Sequence, residues 1–194
     1  MGSRNQEDAS EPGHLWNGRP TLFLDVDGVL NTAQMTGRHA LHPKLLKRLK
    51  DVCDATQCSV VLSTTWRLQK ANEEVLLAAL EKAGIPRACV VDHTPCFGIE
   101  ELRWCGGRNL GETRRAAEIA AYLDAHQELA AQPFAIVDDI DILLVDSDPI
   151  LAKLQGHFVR TAVESGLTER CCDKLKAILR PDLGGEAASA ARAS

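Results

Sequence analysis

The chain has 194 residues, 45% hydrophobic and 25% charged, with a formal net charge of −5. That balance suits one globular α/β domain with tails, and it excludes a nucleic-acid binder held by overall charge; no apolar run nears the roughly 20 residues a membrane helix needs. The seven cysteines are odd in number and form no Cys-x-x-Cys pair, which argues against a zinc site or a disulfide framework.

Residues 1–19 are polar and lack the apolar region of a signal peptide, so they read as a disordered tail on a soluble cytoplasmic or nuclear protein. The first strand is expected over 20–26. Leu22, Phe23 and Leu24 run without polar alternation, as in a strand buried on both faces of a parallel sheet. Asp25 and Asp27 then fall at its carboxyl end, and Gly28 lets the chain turn or a ligand approach. Two carboxylates this close repel each other when both are ionised, so the pair calls for a cation or a raised pKa. Mg²⁺, hard and oxygen-seeking, is the natural cation. An EF-hand loop is excluded, because Gly28 comes too early and Val29-Leu30 turns apolar again.

A polar loop over 32–41 follows. His42-Pro43 opens a helix running to about 54, with proline at its first position and Leu45, Leu46, Leu49 and Val52 on its apolar side. A second strand over 59–63 ends in Ser63-Thr64, and a second helix over 72–83 is stopped by Gly84 and Pro86. A third strand is expected over 88–91. The stretch 94–110 shows no period and carries Arg103 and Arg108. A third helix over 111–126, a fourth strand over 134–137 ending in Asp138-Asp139, a fifth strand over 157–160 and a last helix over 168–179 complete the alternation. Residues 182–194 read as a second disordered tail, which leaves 20–181 as the folded domain.

Strands alternating with helices imply a three-layer, Rossmann-like α/β domain around a parallel sheet. Ligands of such sheets gather at the carboxyl ends of the strands, where Asp25, Asp27, Ser63, Thr64, Asp138 and Asp139 all fall. With Mg²⁺, such carboxylates can hold a phosphate they would otherwise repel. A carboxylate can attack phosphorus, a neighbouring acid can protonate the leaving oxygen, and a hydroxyl and a cation can stabilise the transferring oxygens.

These residues carry a family resemblance. Asp25-Val-Asp-Gly-Val-Leu-Asn31 resembles motif I of the haloacid dehalogenase (HAD) superfamily of phosphohydrolases, Val60-Val-Leu-Ser63 motif II, and Ile136-Val-Asp138-Asp139 motif IV, in the same order along the chain. Ser63-Thr-Thr-Trp-Arg67, Ala71-Asn72, Arg115-Ala-Ala-Glu118-Ile and Gly166-Leu-Thr168 resemble a narrower branch, the HAD domain of Swiss Army Knife RNA repair proteins. The resemblance spans about 21–180. It implies Asp25 as nucleophile and Asp27 as general acid and base. It implies Mg²⁺ held by Asp25, the Asp27 backbone carbonyl and Asp138, with Asp139 assisting. Ser63 would bind the phosphate, with Thr64 the choice if the register slips by one. No lysine stands between Lys82 and Lys153, so the cation of motif III falls to Arg115, with Arg114 next; the competing reading pairs Arg115 with Glu112 or Glu118 on its own helix.

The spacings leave room for rim loops but no full cap domain, which suits a bulky phosphorylated substrate such as a nucleic-acid end or a phosphoprotein. Trp66-Arg67 follows the hydroxyl directly; the arginine is a candidate substrate contact, and the indole either stacks on a base or packs beneath the loop. His42 reads as structural. A signalling receiver domain places its acidic pair and phosphorylated aspartate in another order. The remaining alternative is a catalytically silent, HAD-like binding protein.

Overall fold

The computed structural model describes residues 18–35, 40–97, 110–142 and 152–180. Apart from Gly18 and Arg19, the two expected tails lie outside these residues, as do Arg103 and Arg108. Strands β1 (Thr21–Leu24), β2 (Ser59–Leu62), β3 (Val90–His93), β4 (Phe134–Asp138) and β5 (Phe158–Arg160) form one sheet in the order β3-β2-β1-β4-β5. Every neighbouring pair is parallel. Helices bounded within the described residues include α1 (Pro43–Thr56), α2 (Lys70–Lys82), α3 (Leu110–Ala125), the single turn α4 (Gln127–Ala130) and α5 (Glu169–Leu179). This is the three-layer, Rossmann-like α/β architecture that the alternation of elements implies.

The apolar run of β1 serves both faces of the sheet. Leu22 and Leu24 join Val60, Leu62, Ala135 and Val137 in a core shared with Leu45, Leu49 and Val52 of α1, Leu76 and Leu80 of α2, and Leu175 and Leu179 of α5. Phe23 faces the opposite layer with Val61 and Ile136, against Ala116, Ile119 and Leu123 of α3. Leu22, Phe23 and Leu24 are fully buried, and each such side chain contributes roughly 1.5–3 kcal/mol relative to exposure. A strand of four residues therefore anchors both cores.

Helix starts follow local chemistry. The Nδ1 of His42 accepts the Lys44 N–H at 3.1 Å with Pro43 in the first helical turn, so His42 is the structural cap expected of it. Thr168 caps α5 through the Cys171 N–H. The third strand begins at Val90, two residues later than expected, because Pro86 opens a 3₁₀ turn over Arg87–Cys89. Its pairing with β2 also shifts register between Val60 and Val61.

The chain places β2 and then β3 on one side of β1, and β4 and then β5 on the other. The order reverses between β1 and β4, and a crevice outside the carboxyl ends of the strands is the ligand position of such a sheet.

Candidate active site

The sheet ladder runs one residue past the strands and fixes the groups there. The Asp25 N–H donates to the Val137 carbonyl at 3.1 Å, and the Ser63 N–H to the Leu24 carbonyl at 2.8 Å. Asp25 thus leaves β1 between Ser63, which follows β2, and Asp138, the last residue of β4. Beyond Asp25 the chain closes a tight turn, in which the Leu30 N–H donates to the Val26 carbonyl at 2.8 Å. Gly28 takes φ +70°, and a Cβ there would stand 2.6 Å from the Asp139 side chain, so the glycine lets Asp139 approach the turn.

Asp25, Asp138 and Asp139 bring carboxylate oxygens within 4.8 Å of one another. Arg115 reaches them from α3. Its Nη1 lies 3.0 Å from Asp25 Oδ1 and 2.7 Å from Asp138 Oδ2, and it also donates to the Ser63 carbonyl. Arg115 therefore crosses to the strand ends rather than pairing along its own helix. Arg114 is the residue that pairs there, donating to Glu118 at 2.9 Å and lying 2.6 Å from Cys96 Sγ.

Burial pushes the Asp25 carboxyl up to about 6 despite the opposing pull of Arg115. Burial, and then the charge of Asp25, push Asp138 up to about 7, again against Arg115. Burial works against the charge on Arg115, but Asp25 and Asp138 outweigh it and raise its pKa. The cluster thus holds more negative charge than one guanidinium neutralises. All its donors are hard carboxylate oxygens, the set a Mg²⁺ ion prefers, so these residues fit a divalent cation.

Ser63 Oγ is buried and has no hydrogen-bond partner among the described residues. A buried hydroxyl left so is costly unless a ligand completes it. Thr64 is engaged elsewhere, since its Oγ1 accepts the Trp66 N–H at 3.4 Å and caps the 3₁₀ turn Thr65–Leu68. Of the two hydroxyls, that of Ser63 is the one without any partner among the described residues.

Asp27 stands apart from the carboxylate cluster. Its side chain is exposed; Oδ1 accepts from Asn31 Nδ2 at 2.8 Å and Oδ2 from Trp66 Nε1 at 3.0 Å. Asn31 Oδ1 in turn accepts the Gly28 N–H at 2.9 Å. The Trp66 ring is 4% exposed, so it packs beneath the loop and offers no face to a base.

The Arg67 guanidinium is engaged by the protein itself. It donates to the carbonyls of Thr64, Thr94 and Pro95 and to Glu118 Oε2, the last at 2.7 Å. Glu118 Oε1 also accepts the Phe97 N–H at 3.0 Å. This buried pair ties the turn after β2, the segment after β3 and helix α3 together. Sequence reasoning missed Glu118 as the hub, although its i,i+4 spacing from Arg114 is a readable signal. A cavity of about 170 Å³ opens beside Arg115, lined by Thr65, Arg67, Leu68, Arg114, Glu118 and Ile140. A roomier groove of about 390 Å³ between α1 and α2, lined by Leu41, Leu46, Val75 and Ala79 among others, contains none of the clustered acids.

Residues 21–172 match the family described as the HAD domain in Swiss Army Knife RNA repair proteins. No curated protein and no solved structure matches the chain significantly.

Proposed function

The chain belongs to the HAD domain family of Swiss Army Knife RNA repair proteins, and on that premise we propose that it is a Mg²⁺-dependent phosphomonoesterase working through an aspartyl-phosphate on Asp25. The observation that carries this reading is the Arg115 guanidinium spanning Asp25 and Asp138 beside the orphaned Ser63 hydroxyl. A carboxylate, a fixed cation and an unsatisfied donor meet at one strand edge, which is what an incoming phosphoryl group requires.

Asp25, Asp138 and Asp139 would hold Mg²⁺ with the Asp27 backbone carbonyl, and the ion would supply positive charge against the phosphate oxygens. Asp25 is the nucleophile: its oxygen bonds to phosphorus as the bond from phosphorus to the leaving oxygen breaks. The proton on Asp27 passes to that leaving oxygen. Asp27 then takes a proton from water, whose oxygen displaces Asp25 from phosphorus and releases inorganic phosphate. Ser63 and Arg115 hold the phosphoryl oxygens throughout.

A nucleic-acid end is the proposed substrate class. The family is one of RNA repair proteins, and terminal phosphates are monoesters on a bulky leaving group. No helix among the described residues is long and apolar enough to cross a membrane; the cytoplasm or nucleus is the proposed compartment.

The test is release of inorganic phosphate from p-nitrophenyl phosphate and from oligonucleotides phosphorylated at the 5′ or 3′ end, with Mg²⁺ and with chelator. Turnover that needs Mg²⁺, disappears in Asp25→Asn and extends to an oligonucleotide end supports the proposal. Absence of turnover on every substrate, with Mg²⁺ stabilising the fold all the same, would favour the silent binding protein.

A further inference from the structure

We infer that Trp66 is a positioning residue for Asp27, its indole N–H fixing the carboxyl group that exchanges the proton in the reaction proposed above. The inference rests on that reading of Asp27 and adds a residue that the reading does not require.

Asp27 is exposed at the tip of the turn after β1, where a free carboxylate would rotate. Both of its oxygens are tethered instead, Oδ2 to Trp66 at 3.0 Å and Oδ1 to Asn31 at 2.8 Å. The donors are themselves fixed. Asn31 is held by the Gly28 N–H. Trp66 lies in the core between the sheet and α2, in a turn whose start is capped by Thr64 and whose end is closed by the Gln69 N–H on the Trp66 carbonyl at 3.3 Å. An indole is a donor only, and a buried indole N–H needs an acceptor. The bond therefore has one direction, from the rigid partner to the exposed one. Each carboxylate oxygen keeps a second lone-pair position, so two tethers fix the plane of the group without occupying the place a transferable proton needs. Trp66 gives up no proton itself. Because Ser63 directly precedes this turn, one backbone segment sets both the phosphate-facing hydroxyl and the orientation of the acid.

The experiment compares kcat/KM for phenyl phosphate, whose poor leaving group needs protonation, with p-nitrophenyl phosphate, whose leaving group departs as the anion. This constant reports the step that forms the aspartyl-phosphate. Trp66→Phe should lower it about tenfold for phenyl phosphate and about twofold or less for p-nitrophenyl phosphate, a fraction of what full loss of a general acid costs. Asp27→Asn, measured in parallel, should show the same selectivity with a larger loss. An equal loss on both substrates in the Trp66 variant, or none on either, overturns the inference while leaving the function intact. An equal loss in Asp27→Asn removes the acid role itself, and the inference with it. Should phenylalanine unfold the core, 3-benzothienylalanine at position 66 keeps the bicyclic shape, lacks the N–H, and is held to the same outcomes.

Discussion

Arg115 Nη1 stands 2.7 Å from Asp138 Oδ2, joining the middle of α3 to the end of β4, and the same atom lies 3.0 Å from Asp25. Arg115→Ala would leave two buried carboxylates facing each other without a cation. Breaking such a pair costs about 3–5 kcal/mol, and loss of the charge facing the phosphoryl group should lower turnover by about 100-fold or more. Arg115→Lys restores the charge, but its ammonium stands on a shorter, more flexible stem and has to find the place where Nη1 alone touches the Ser63 carbonyl and both acids. It should keep most of the stability, with a rate between those of the parent protein and the alanine variant, which urea melts and steady-state kinetics would show.

The same carboxylates set a pH dependence. Burial pushes the Asp25 and Asp138 carboxyls up from an ordinary 3.8, to about 6 and about 7. Between about pH 4 and 7 the folded chain therefore binds more protons than the unfolded one, and its stability falls as pH rises. In chelator, the urea midpoint should be higher at pH 5 than at pH 8, reflecting a stability difference on the order of a few kcal/mol. Mg²⁺ binds the ionised forms, so adding it at pH 8 should restore the midpoint. Asp138→Asn should flatten the slope in chelator and weaken the response to Mg²⁺.

Much of this site was legible because its chemistry sits at punctuation marks. Asp25-Val-Asp27-Gly28 ends an apolar run, Ser63 ends another, and Asp138-Asp139 a third, and a parallel sheet brings such ends together whatever lies between. Helix starts were equally plain at His42-Pro43. Contacts that depend on the register of elements far apart were not legible. Trp66 stood out beside Ser63, but its partner Asp27 is 39 residues away, and the two meet because Leu24 pairs with Leu62 across β1 and β2. Arg67 looked like a substrate contact, since nothing local announces that a carboxylate 51 residues on will claim it. The third strand slipped because the 3₁₀ turn after Pro86 consumed residues whose apolar character alone reads as strand.

Gly166 is a second position where a side chain would disturb the turn that carries Asp27. It adopts φ +60°, and a Cβ would stand 2.8 Å from the Val29 carbonyl oxygen and 2.5 Å from Leu45 Cδ1. The leucine can move, but the carbonyl cannot, because it already accepts the Leu167 N–H at 2.9 Å. Left-handed backbone alone costs a non-glycine residue about 1–3 kcal/mol. Gly166→Ala should lower stability by at least that much. It should also reduce turnover more than a surface alanine substitution of equal stability cost, measured well below the melting temperature.

The pairing of Arg67 with Glu118 separates scaffold from chemistry. Their side chains are 4% and 3% exposed, and they meet at 2.7 Å. Arg67 also closes the backbone carbonyls of Thr64, Thr94 and Pro95. Arg67→Ala would strand those acceptors and one buried acid, so it should destabilise the fold by about 3–5 kcal/mol. Arg67→Lys should recover little, because one ammonium cannot reach four acceptors arranged around a planar fork. If Arg67 instead touched substrate, its loss would raise KM for an oligonucleotide end while leaving the urea midpoint near that of the parent protein. The expected pattern is the reverse: a large fall in the midpoint, with kcat reduced as α3 and Arg115 lose their placement and KM nearly unchanged in the fraction that stays folded.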